Sequence, residues 1–173
     1  DGAQTGVAAR GEGTVLVEDC YVTGNRWPGV FAGGPGSSAM VRRSRIVDNF
    51  DIGAAAHDSA TLVVVHSRLA RNAHGGVYLK GAAPASRIEH NEIETNAEEG
   101  ILVHAGVGGL VRHNRLRRHQ RGIAQAGCRP PGHAGNAGTT ERGPALTAPG
   151  RPAHTHTPAT HTHAPTPAAP RST

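Results

Sequence analysis

A glycine-led unit returns along most of this 173-residue chain and limits the possible folds more tightly than any other feature. Units begin at Gly6, Gly29, Gly53, Gly76, Gly100 and Gly122, at spacings of 23, 24, 23, 24 and 22 residues. The stretches 53–72 and 76–96 agree position by position when laid over each other. So steady a period is that of a solenoid, in which a unit buries its apolar side only by stacking on the next.

The columns of the repeat say what each unit is. After the glycine come Val7, Val30, Ala54, Val77, Ile101 and Ile123, and two residues later Ala9, Ala32, Ala56, Leu79 and Val103. Apolar residues at alternate positions describe a short strand with one buried face. A second strand brings Val15, Ala39, Leu62, Ser86 and Gly109, then Val17, Val41, Val64, Ile88 and Val111. A third brings Val22, Ile46, Leu69, Ile93 and Leu116. Three short strands and three bends use up one period, whereas a helix needs its apolar residues at spacings of 3 to 4 over ten or more positions. Each unit is therefore one coil of a β-helix.

Small polar residues mark two of the bends. Cys20, Ser44, Ser67, Asn91 and Asn114 stand between the second and third strands, and Asn25, Asn49, Asn72 and Asn96, with His119 last, follow the third. Asparagine suits the left-handed backbone of a sharp bend, and stacked amides hydrogen-bond from coil to coil, so both columns are read as structural. Charges fall on cross-strand neighbours: Glu18 with Arg42, Glu89 with Arg112, Glu94 with Arg117, and Glu92 between Arg68 and Arg115. These predict a solvated, ion-paired face.

The run Asn91-Glu-Ile-Glu-Thr-Asn96 followed by Gly100-Ile101 resembles the right-handed parallel β-helix repeat of the pectate-lyase-like superfamily, over about residues 6–127. The resemblance implies a right-handed coil. For function it implies less, because that superfamily includes lyases, hydrolases, epimerases, tail-spike proteins and modules without known chemistry.

Length allows one domain, residues 1–127, with five full coils stacked over about 24 Å. The chain begins at Asp1 close to repeat register, and no amphipathic segment precedes Gly6, as in an excerpt of a longer solenoid. Residues 128–173 run through Pro130-Pro131-Gly132 to His154-Thr-His156 and His161-Thr-His163 with hardly any large apolar side chain. A disordered tail rich in Pro, Thr, Ala and His is expected there. A solenoid that stops in mid-pattern before such a tail also fits a truncated or misread coding sequence.

The same inventory bounds the partners. The net charge of +5 comes almost wholly from arginine, and the aromatics are only Tyr21, Trp27, Phe31, Phe50 and Tyr78. A nucleic-acid reader gathers basic residues and stacking aromatics on one face, a pattern the sequence does not offer. Two cysteines, Cys20 and Cys128, are too few for a disulfide framework. No window has the apolar length of a membrane span and no signal peptide is visible. The compartment stays open, with secretion or the cell surface favoured only by the resemblance. No metal and no cofactor is expected, since the His-x-His pairs of the tail lack fixed geometry.

Two outward columns are candidates for chemistry. One reads Asp19, Arg43, His66, His90 and His113, placing three imidazoles one strand spacing apart. Converging imidazoles bind zinc or copper, but a parallel stack points one way, so a surface stack resisting simultaneous protonation is expected, with His66, His90 and His113 as candidate binding residues. The other lies two residues before each glycine and reads Trp27, Asp51, His74 and Glu98. Polygalacturonase-like members of the resembled superfamily place catalytic acids in this part of the coil, and Asn49-Phe-Asp51-Ile-Gly53 is similar to their Asn-Thr-Asp-Gly element with an insertion. By that resemblance Asp51 and Glu98 are candidate catalytic acids, roughly 9 to 10 Å apart, with His74 between them. The Asp-Asp pair, the Arg-x-Lys element, the Asp-Pro-His-Asp element of mannuronan epimerases and the calcium-binding Asp cluster of pectate lyases are not found here.

The reading is thus a β-helix that binds or braces without catalysis, with polysaccharide as the ligand class implied by resemblance. The alternatives are a polysaccharide hydrolase, lyase or epimerase, and a protein-substrate adaptor resembling the β-helix repeats that accompany F-box proteins.

Overall fold

The computed structural model describes residues 4–83, 85–104, 107, 109–126 and 137–138. The chain divides into two units, residues 1–143 and 144–173, and every described residue belongs to the first. Its strands form three parallel sheets, each taking one strand per coil. The first sheet stacks β1 (Val7–Arg10), β4 (Val30–Gly33), β7 (Ala54–His57), β10 (Val77–Lys80), β13 (Glu99–His104) and β16 (Arg121–Ala126). The second stacks β2 (Thr14–Glu18), β5 (Ser38–Arg42), β8 (Thr61–Val65), β11 (Arg87–Glu89) and β14 (Leu110–Arg112). The third stacks β3 (Tyr21–Thr23), β6 (Arg45–Val47), β9 (Arg68–Ala70), β12 (Glu92–Glu94), β15 (Arg115–Arg117) and the two-residue β17 (Ala137–Gly138).

The apolar columns fall in register. Val30 pairs with Val7 and Ala54, Val77 with Ala54 and Ile101, and Val64 lies between Val41 and Ile88. Ile46, Leu69 and Ile93 close the third side of a core in which all three are fully buried. Among the described residues there is no helix, and so none long and apolar enough to cross a membrane. The tail expected over residues 128–173 lies outside the described residues, except that 137–138 pair with Arg115 and Leu116.

The bends correct one expectation. The left-handed residue is not the asparagine but the one before it: Asp48, Arg71 and Thr95 have φ of 55°, 54° and 55°. Likewise Asp19, Arg43, His66, His90 and His113, at 47° to 56°, precede the small polar column. Turning the corner at that residue swings the next side chain inward, where an amide or hydroxyl reaches the coil above. Asn25 Nδ2 donates to Asn49 Oδ1, Asn49 Nδ2 to Asn72 Oδ1 and Asn72 Nδ2 to Asn96 Oδ1, each at 2.9 Å. At the other bend the Ser44 amide donates to Ser67 Oγ, the Ser67 amide to Asn91 Oδ1 and the Asn91 amide to Asn114 Oδ1.

The leading glycine is required for space. A Cβ at Gly76 would lie 2.5 Å from the Gly100 carbonyl oxygen and 2.6 Å from Ile93 Cγ2. Chain and asparagine ladder fit together there only because that carbon is absent.

Ion pairs follow the register with two departures. Arg42 bonds Glu18 and Arg112 Nε stands 3.3 Å from Glu89 Oε1 as an ion pair without a hydrogen bond, but Arg68 reaches diagonally to Glu94, not to Glu92 opposite it. Glu89 is also only 8% exposed, because the coils above and below cover it, so this carboxylate is not on a solvated face.

Candidate functional site

The bend from the third sheet to the first brings one candidate row together. The His74 amide donates to the Asp51 carbonyl at 3.2 Å and the Glu98 amide to the His74 carbonyl at 2.7 Å, so the three residues stack in successive coils. His74 Nδ1 stands 3.6 Å from Asp51 Oδ1, an ion-pair distance for a protonated imidazole and longer than a hydrogen bond. Next to the row a pocket of about 340 Å3 is lined by Ile52, His74, Tyr78, Glu98, Glu99 and Leu102. Glu99 is 7% exposed, with Arg121 Nε 3.3 Å from its Oε1. Two large aromatics stand exposed on the same bend in successive coils, Trp27 at 53% and Phe50 at 69%.

The outer face of the first sheet adds a feature that reading the sequence by columns does not reveal. Phe31, His57, Tyr78 and His104 form a zigzag of edge-to-face rings with centroids 5.1 to 5.3 Å apart, and the Arg10 guanidinium caps Phe31 at 4.9 Å. Tyr78 Oη lies 2.9 Å from His104 Nε2. The rings belong to two outward columns, Phe31 and Tyr78 in one, His57 and His104 in the other, and they touch diagonally. Burial between its neighbours holds the His57 imidazole below its ordinary value; Asp58 opposes this and Lys80 reinforces it.

The histidine column stands at the bend between the second and third sheets. His66, His90 and His113 are stacked with centroids 5.2 and 4.9 Å apart and planes within 14°. The rings lie face to face, one per coil, and so form a column and not a ring about a common centre. Among the described residues no three histidine, cysteine or carboxylate side chains are grouped as a metal site needs. Cys20, at the start of the neighbouring column, is an exposed free thiol, its Sγ 3.0 Å from the Glu18 carbonyl oxygen; Cys128 lies outside the described residues.

Residues 1–130 match the family model described as the right handed beta helix region. The chain belongs to that family. No match was found among curated proteins or among solved structures. Membership gives this β-helix its handedness and coil architecture. It assigns no ligand, since function on a shared fold resides in particular side chains.

Proposed function

We propose that this right-handed β-helix is a non-catalytic binding module that takes a carbohydrate chain along the bend between its third and first sheets. The observation behind this reading is the exposed pair Trp27 and Phe50 on the same bend as Asp51, His74 and Glu98. Exposed aromatic rings offer flat apolar faces to the C–H side of a sugar ring, and carboxylates and imidazoles bond its hydroxyls. A large aromatic left uncovered in two successive coils is costly to a solenoid with no use for it. The pocket beside Tyr78 and Glu99 gives a bound chain a place to seat one ring.

Trp27 is the sole tryptophan in the sequence, so its fluorescence reports on this bend alone. Titration with xylo-, cello- and galacturono-oligosaccharides should give a saturable change with at least one of them, and Phe50→Ala should weaken it. A flat response to all three would sink the reading. Polysaccharide cleavage is the second reading, favoured by the Asp51–His74 contact and by the offset of Glu98 two coils from Asp51. It predicts new reducing ends or unsaturated products from the same oligosaccharides, abolished by Asp51→Asn. The binding-module reading predicts neither.

A further inference from the structure

On the bend that holds the histidine stack lies a second groove, of about 460 Å3, lined by Arg43, Arg45, His66, Arg68, His90 and Glu92 with Ser44 and Ser67 beneath. It is independent of the bend that bears Trp27. We infer that this groove is a docking site for an acidic polysaccharide, laid along the solenoid axis with its carboxylate or sulfate groups against the arginine row.

The row follows from register: Arg45 pairs with Arg68, Arg68 with Glu92, and Glu92 with Arg115. Not all of these cations are available. Arg43 is held by two bonds from its guanidinium to the Asp19 carboxylate, at 3.0 Å each, and by Glu18; Arg68 is held by Glu94. Arg45 and Arg115 are exposed and, among the described residues, lack a carboxylate partner. An unpaired guanidinium at each end of the row leaves net positive charge on it, and two parallel donor forks suit planar or tetrahedral oxyanions.

Opposite that row the imidazole stack supplies a second wall. Its rings recur every 4.9 to 5.2 Å, so each coil offers a ring edge with at least one nitrogen for a polar group. A ligand that uses both walls must itself repeat at close to the strand spacing of about 4.8 Å. One pyranose ring linked through opposite positions spans close to that length. The phosphates of a duplex strand advance by about 3.4 Å and fall out of step within a few coils.

Glu92 decides between classes of polyanion. A carboxylate in the middle of the row repels a chain that bears only negative charge, but accepts a hydrogen bond from a hydroxyl. An acidic sugar chain presents both an anion and hydroxyls at each step. A DNA backbone has no donor to offer there.

Affinity electrophoresis of the full chain through gels holding polygalacturonate, cellulose sulfate, neutral dextran or double-stranded DNA tests the assignment. Retention by polygalacturonate or by cellulose sulfate, with none by neutral dextran, is expected, and which of the two retards more tells carboxylate from sulfate. The double variant Arg45→Gln/Arg115→Gln should lose roughly tenfold in affinity. His66→Asn/His90→Asn, which keeps a residue tolerant of the left-handed corner, should also weaken retention, so the test stands if the arginine variant misfolds. Placing both double variants in a Trp27→Ala background removes the contribution of the other bend, and the loss of retention should persist there, which separates this groove from that bend. Equal retention by neutral dextran, tighter binding of DNA at matched charge, or full retention of both folded double variants would overturn the proposal.

Discussion

The two hydrogen-bonded bends do the same mechanical task with different freedom. After the third sheet every coil from the first to the fourth uses asparagine; Asn49 and Asn72 each donate to the next coil and accept from the one before, and Asn96 accepts from Asn72 while its own amide donates back to the Leu69 carbonyl. After the second sheet the column passes from Cys20 through Ser44 and Ser67 to Asn91 and Asn114, because what each step needs there is one oxygen to accept the amide of the preceding coil. The serine hydroxyl satisfies its own donor on a nearby carbonyl, as Ser67 Oγ does with Val65. The asparagine bend also presses on the leading glycine, since a Cβ at Gly29 would meet Asn49 Nδ2 at 2.9 Å. The Asp51, His74 and Glu98 row thus stands beside the more tightly constrained bend, and the His66, His90 and His113 column beside the freer one.

The largest effect should come from the core on which both bends rest. Val64→Asp would bury an unpaired charge between Val41 and Ile88 and cost about 4 kcal/mol or more, enough to unfold the chain at room temperature by circular dichroism. Val65→Asp faces outward beside Arg42 and should cost about 1 kcal/mol or less in urea titration. Next, Gly76→Ala should cost about 2–3 kcal/mol, since backbone as well as side chain stands in the way of the added carbon.

The comparison of bends is sharpened by swapping their residues. Asn72→Ser removes the acceptor for Asn49 Nδ2 and the donor to the Ile46 carbonyl, so about 2 kcal/mol should be lost. Ser67→Asn, copying its neighbours Asn91 and Asn114, should stay within about 0.5 kcal/mol of the parent by the same titration. Equal costs would erase the distinction.

The smallest effect concerns pH. The folded value of His57 lies below its ordinary 6.5, so the unfolded chain binds more protons between the two. Its contribution to stability is complete above 6.5 and is lost as pH falls through the folded value. Melting temperature should therefore drop between about pH 7.5 and 5 by more in the parent than in His57→Phe, a difference smaller than any of the effects above because solvent screens a half-buried ring. Glu18, Asp19 and Asp48, held below the usual carboxylate range by bonds from Arg42, Arg43 and Arg71, keep their charge throughout that window.

Most of the fold was legible because a solenoid writes its contacts at a fixed interval. Val41, Val64 and Ile88 touch since they occupy one column, and a column can be counted. What escaped was what crosses columns. The Phe31–His57–Tyr78–His104 zigzag alternates between two outward positions, and Arg68 passes Glu92 to reach Glu94 two residues further along. Scanning adjacent outward columns together would have exposed the zigzag, as its members fall in successive coils. The Asp51, His74 and Glu98 row was legible as a row, but the exposure of Phe50 beside it depends on side-chain placement that spacing does not encode.

The parallel register has a mechanical side. Hydrogen bonds between coils run along the stack axis, so tension applied at the two ends pulls on the interfaces in series, and within an interface all three sheets resist together. The weakest interface yields first and sets free one whole coil. A released repeat of 23 or 24 residues extends to about 75–85 Å at full stretch. Under load, then, the molecule lengthens in discrete steps, each many times the thickness of the layer it gives up.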